Sequence, residues 1–289
     1  MNSDISQQPQ QLFGGIRLIL WLTAILVAIA GFQLYLFGDQ TDTYFAWTIN
    51  PPLTAVFMGA GYWAVLVPSV IALREKLWMN VRGGIIVAFA VTGLILITTL
   101  LHLDRFHTAS PVFITWLSAW AWIVVYVIVP PLVLVMFFLQ VRQPGKTPTP
   151  QHPLPGWLRS VLLIQGVVTL IPAAAFFLAP QAFNALWAWT LTPFTGQVIG
   201  AWLAAVGVMA ITLAWENDFA RNALTALAFG IFGLLELVAL IRYPTTVDWG
   251  KPSAWIWGAL TVSFMVVGFS MWVVGRRARQ TQLASTNAS

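Results

Sequence analysis

Cysteine is absent from the 289 residues. That single absence excludes disulfides, thiolate metal sites, iron–sulfur clusters and cysteine nucleophiles. Charge is scarce as well: Asp, Glu, Lys and Arg make up 8% of the chain, against about 25% in an ordinary soluble domain. With 59% of the residues apolar, so few charges cannot keep a globule of this size in water, and a water-soluble fold is excluded. Only three His and nine carboxylates remain as acid–base or metal-binding groups. No His falls at the middle of an apolar run, so a pair of haems relaying electrons across a membrane has no ligands. Neither His-Glu-x-x-His nor Gly-x-Ser-x-Gly occurs. Gly145-Lys146-Thr147 resembles the tail of a phosphate-binding loop, but Gln140 stands where that motif needs glycine. No cofactor and no metal are expected.

What the chain has in abundance is long apolar runs. Eight of them, at 16–37, 52–73, 83–103, 112–139, 157–178, 195–215, 222–242 and 254–275, reach the ~20 residues that cross a ~30 Å hydrocarbon layer at 1.5 Å per residue. They are continuous rather than alternating, which argues for helices and against a membrane barrel. Ala28-Ile29-Ala30 has the small-x-small pattern of a signal cleavage site. The first run stays apolar to Phe37 and has an internal counterpart at 157–178, so it reads as a membrane helix. The fold class is therefore all-α, a polytopic integral membrane protein with eight transmembrane helices.

The net charge of +5 follows from topology. Eleven of the fourteen Lys and Arg, from Arg17 to the Arg276-Arg277-Ala278-Arg279 cluster, fall on the side shared by both tails; Arg105, Arg242 and Lys251 fall on the other. The positive-inside rule places both termini in the cytoplasm and the chain in a plasma or inner membrane. The basic tail reads as a headgroup anchor, and no nucleic-acid partner is expected. Trp residues gather near both boundaries, more densely on the outer side (Trp47, Trp187, Trp189, Trp249, Trp255, Trp257), as interfacial anchors would.

Aligned with itself at an offset of 140 to 142, the chain repeats. Ala46-Trp47-Thr48-Ile49-Asn50-Pro51 returns as Ala188-Trp189-Thr190-Leu191-Thr192-Pro193, Glu75 meets Glu216, and Gly93 meets Gly233. Four spans per unit return the chain to the same side, so the expected architecture is two parallel four-helix repeats about a pseudo-two-fold axis along the membrane normal. The parts are an N-terminal tail 1–15, a first repeat 16–139, a Pro-rich linker 140–156, a second repeat 157–275 and a tail 276–289. Gly196, Gly200 and Ala204, spaced by four, predict close helix packing, as do Ala55 and Gly59. Pro130, Pro131 and Pro172 predict kinks. Thr48 and Thr190 read as helix N-caps. Glu75 and Glu216 are expected to pair with nearby Arg74, Lys76 or Arg221.

One ionisable residue lies well inside a span. Glu236 is six residues from Arg242, ~9 Å along the helix axis, and needs a partner from another helix. Arg242 aligns with His102, with Asp104, Arg105 and His107 beside it. If the repeats face each other, Glu236, His102, Asp104, Arg105 and Arg242 converge beneath the loops of Trp47 and Trp189, in a charge-lined pocket with an aromatic roof. The sequence thus points to a transporter or binding protein for a small amphipathic or lipid-like molecule at the interface of the repeats. Two alternatives stand beside it. One is a non-catalytic assembly subunit with a membrane-protein partner or a second copy of itself; the other is an enzyme acting on a lipid or isoprenoid through His102, Asp104 and His107. The bilayer is the partner in every case.

Overall fold

A computed structural model of the chain describes residues 8–288, of which 282–288 are described as backbone only. Eight of its helices are long and apolar enough to cross a membrane. They are α1 (Gly14–Leu36), α2 (Pro52–Ala72), α3 (Arg82–Leu101), α4 (Phe113–Val141), α5 (Gly156–Leu178), α6 (Pro193–Glu216), α7 (Phe219–Arg242) and α8 (Pro252–Ala288). Among the described residues there is no strand, only isolated bridges of Pro9 with Lys146 and Gln11 with Leu77. The protein is an all-α, multi-pass membrane protein.

Several ends differ from the sequence reading, each for a local reason. Residues 276–288 are not a separate tail but the continuation of α8, held where Arg279 binds Glu75 Oε1 (2.5 Å) and the carbonyl of Ala220 (2.5 Å). Helix α7 starts at Phe219, because Asp218 accepts from the backbone N–H of Ala220 (2.8 Å) and Arg221 (3.1 Å). The N-cap of α6 is Thr192, in a reciprocal box with Thr195, and that of α2 is Pro51, so Thr48 and Thr190 do not cap. Helix α4 runs through Pro130 and Pro131, and α5 through Pro172, without ending. The last turn of α1, Phe32–Leu36, widens to a π-helix.

Between helices in lipid there is little hydrophobic drive, so shape fixes who packs with whom. Helices α2, α6 and α7 are the most buried and α4 the least. Helix α1 packs on α2, α5 on α6, α3 on α4 and α7 on α8, while α2 crosses to α7 and α3 to α6. Helices α7 and α8 approach very closely, so that a side chain at Gly268 would meet the backbone of Gly230 and one at Gly275 the backbone of Phe219. Gly166 and Gly207 play the same part between α5 and α6.

One face of the bundle gathers the segment before α1, the α2–α3 and α4–α5 connections and Arg279; it is called the terminal face below. There Gln140, fully buried, accepts from Phe13 N (2.7 Å) and donates to Gln11 O (2.9 Å). Arg82 binds both oxygens of Glu216 (2.6 and 2.7 Å). Glu75 and Glu216 therefore pair with Arg279 and Arg82 rather than with Arg74, Lys76 or Arg221, because helix ends distant in sequence meet here.

On the opposite, tryptophan-rich face, the loops fold inward. Trp47, Trp187, Trp189 and Trp257 are buried, so these four are core residues rather than the lipid anchors expected of them. Trp157, Trp215 and Trp255 are exposed, as boundary residues are. Trp47 packs on Trp122 (ring centroids 4.8 Å) and Phe194 (5.0 Å), and Trp189 on Trp187 (5.1 Å) and Phe57 (6.2 Å).

Candidate functional site

A cavity of about 460 Å³, walled almost entirely by apolar side chains, lies among α1, α2, α3 and α4, backed by α6 and α7. It exists because the outer helices of the first half do not close on one another. Helix α4 packs chiefly along α3 and barely reaches α1. Gly84 and Gly93 of α3 face open space, whereas Gly230, Gly233, Gly268 and Gly275 of α7 and α8 are pressed against backbone. The walls are mostly apolar; besides the mid-helix hydroxyls of Thr23 and Thr92, polar groups include Gln33 and Ser118 near the tryptophan face and Asn80 near the terminal face. Gln33 Nε2 donates to Ser118 Oγ (3.0 Å), tying α1 to α4 there. No Asp, Glu, Lys, Arg or His side chain lines the cavity.

At its middle stand two phenols. Tyr62 is the eleventh of the 21 residues of α2 and Tyr126 the fourteenth of the 29 of α4. Their hydroxyl oxygens lie 2.5 Å apart, both buried. Trp122 packs on Tyr126 (centroids 4.5 Å), and Trp202 meets Tyr62 edge-on (4.8 Å, 81°). The indole N–H of Trp122 donates to Thr99 Oγ1 (3.0 Å), whereas that of Trp202 is buried without an acceptor.

A second hollow, about 540 Å³, opens on the tryptophan face between the Trp47 loop, the end of α3 and the start of α6. Trp47, His102, Arg105, His107 and Thr192 to Thr195 line it. His102 Nε2 lies 2.9 Å from Gln197 Oε1, and its ring rests on Phe194 (4.8 Å). His107 Nδ1 faces the carbonyl of Phe45 (3.3 Å) and its Nε2 faces Thr48 Oγ1 (3.2 Å). A carbonyl can only accept, so Nδ1 carries the proton, and in the neutral ring Nε2 accepts from Thr48.

The residues singled out from the sequence divide among separate neighbourhoods. Trp47, His102 and Arg105 come together in the outer hollow. Asp104 pairs with Arg105 (3.1 Å) at the surface, with side chains 70% and 66% exposed. Trp189 is buried and donates to Thr54 Oγ1 of α2 (2.9 Å). Arg242 turns to the end of α1, donating to Tyr35 O (2.7 Å); the terminal carbonyls of a helix lack partners of their own and accept readily. Glu236 is fully buried, and neither of its oxygens makes a hydrogen bond; the neighbouring Trp257 N–H stands outside hydrogen-bond geometry. The expected convergence on one charged pocket is therefore corrected: Arg242 is drawn off by α1, and Glu236 lines neither hollow.

The residues that shape the apolar cavity, Tyr62, Tyr126, Trp122 and Trp202, are not among those singled out from the sequence. A signal was there: two of the five tyrosines lie at mid-span, away from the boundary where Tyr ordinarily sits. Among the described residues no group of three or more His, Asp or Glu is placed to hold a metal ion. In comparison with known proteins, no protein family, no curated protein and no solved structure matches this chain.

Proposed function

We propose that the protein binds a small lipid-like molecule in the cavity among α1 to α4, as a binding protein or transporter. The cavity itself carries this reading. Its volume, about 460 Å³, falls in the ~300–1,000 Å³ range of small-molecule sites, and its walls lack any charge that would demand a polar ligand. It also touches α6 and α7, so it lies on the seam between the first four helices and the second four.

The two halves are read as parallel copies. In support, the six principal helix pairs named above map onto one another when each helix is exchanged for the one four places on. Aligned positions also make like bonds: His107 N donates to Ala46 O (2.8 Å), and Asp248 N to Ala188 O (2.7 Å). The terminal face is read as cytoplasmic from its eleven Lys and Arg.

Native mass spectrometry of protein released from mild detergent tests the binding reading, with Ala88→Phe as the comparison. Ala88 lines the cavity on α3, and a phenyl group there fills it. Bound lipid on the wild type, lost from the variant while the fold is kept, is the expected result. No bound small molecule, with a protein partner retained by both forms, would replace this reading with that of an assembly subunit.

A further inference from the structure

The cavity holds more hydrogen-bond donors than the protein can satisfy. Tyr62 and Tyr126 each carry one O–H, and among the described residues each hydroxyl has only the other as partner. Within such a pair one O–H donates to the other oxygen, which leaves the second proton without an acceptor. The Trp202 indole, edge-on to Tyr62, adds a buried N–H that also lacks one. All three side chains line the cavity. Burying an unmatched donor is costly, and native proteins seldom leave one so. Two surplus donors in one neighbourhood call for an acceptor brought by the occupant.

Two further observations narrow that occupant. The lining carries no ionisable group except the phenols themselves, so a carboxylate, phosphate or ammonium would be buried there without a counter-charge. The phenols sit at mid-helix, ~15 Å from either end of α2 for Tyr62 and ~20 Å or more from either end of α4 for Tyr126 at 1.5 Å per residue, deeper than the headgroup boundary.

We infer, resting on the lipid-binding reading above, that the occupant is an uncharged lipid carrying a carbonyl oxygen at mid-depth, where the Tyr62–Tyr126 pair and Trp202 donate to it. A conjugated ring carbonyl on a prenyl chain and the ester carbonyl of a diacylglycerol share this chemistry.

The test uses the full chain in lipid nanodiscs and measures binding of three probes by Trp fluorescence and native mass spectrometry. The probes are a prenylated quinone, a diacylglycerol and squalene, a hydrocarbon of similar bulk without oxygen. At least one carbonyl probe is expected to bind tenfold or more tighter than squalene, and the one that does identifies the source. Tyr62→Phe and Tyr126→Phe each still leave one phenol free to donate, so each loses threefold or less. The double variant loses tenfold or more for the carbonyl probe and nothing for squalene. Equal affinity for squalene and both carbonyl probes, or a double variant that binds like the wild type, overturns the carbonyl inference while leaving the lipid site standing. Added to these three as a charged control, oleate is expected to bind more weakly than either carbonyl probe, and tighter binding of it overturns the inference too. If no probe binds, the lipid-binding reading itself fails.

Discussion

Glu236 and Glu216 are both buried, yet they stand in opposite situations. Glu216 has Arg82 on both oxygens, whereas Glu236 has no hydrogen-bond partner and only the Trp257 indole close by. Converting Glu216 to Gln leaves Arg82, mostly buried, without its counter-charge, and is expected to cost ~3 kcal/mol. Glu236→Gln breaks no bond, keeps the shape, and is expected to shift stability by less than ~1 kcal/mol, since it meets none of the usual causes of large destabilisation. Denaturant unfolding in detergent compares the two; a larger loss at Glu236 than at Glu216 would show that the lone carboxylate is used. Native mass spectrometry of Glu236→Gln is expected to find the same bound lipid as the wild type, because the residue lies outside the cavity. At this scale the sequence was informative about which residues are unusual and poor at their partners. It marked Glu236 as buried and ionisable, but it paired Glu75 and Glu216 with residues near in the chain. Partners are chosen by which helix ends meet, and that is a property of the bundle.

Helices of similar composition pack with very different tightness. The register that aligns Gly93 with Gly233 sets a residue facing open space against one pressed onto Met265 and Thr261. Gly93→Ala is therefore expected to be neutral or to stabilise by about 0.5–1 kcal/mol, the ordinary gain of Ala over Gly within a helix. Gly268→Ala drives a methyl into the Gly230 backbone and is expected to destabilise by about 1–3 kcal/mol as α7 and α8 are forced apart. Thermal unfolding of the two variants reads the difference, and equal melting temperatures would contradict the tight α7–α8 contact. Helix existence was legible at this scale, since length and apolarity alone mark a span. The small-residue stripe of α6 was legible too: Gly196 and Gly200 do lie against α5 or the segment after it. The apolar cavity was not, because it arises from what α4 fails to touch, and no single segment records a missing contact.

For the whole molecule, the absence of cysteine becomes an experimental advantage, since any introduced thiol is the only one. Ala109, on the tryptophan face, and Thr147, in the α4–α5 connection, are both exposed. Ala109→Cys is expected to react with an impermeant maleimide added to intact cells, and Thr147→Cys only after the membrane is opened. The reverse pattern would invert the orientation inferred from the basic residues. The number of spans traces to composition and pattern, and the close packing of the sixth helix to its small residues. The inward-folded tryptophans do not, because Trp on a boundary loop reads the same whether it faces lipid or protein.

Two residues, Asn217 and Asp218, join α6 to α7, with Asn217 in the left-handed conformation (φ 47°) that allows so sharp a reversal. Asp218 also takes the N–H of Gln151 (2.7 Å) and so fastens the long connection between the halves to the same corner. Mechanically this corner is a clamp: two of the most buried helices are pinned end to end and cannot slide apart. For the ligand binding proposed above, entry is expected instead through α4, the least buried helix, swinging between its longer connections at 102–112 and 142–155. Spin labels are expected to report a fixed α6–α7 separation and a ligand-dependent one between α1 and α4.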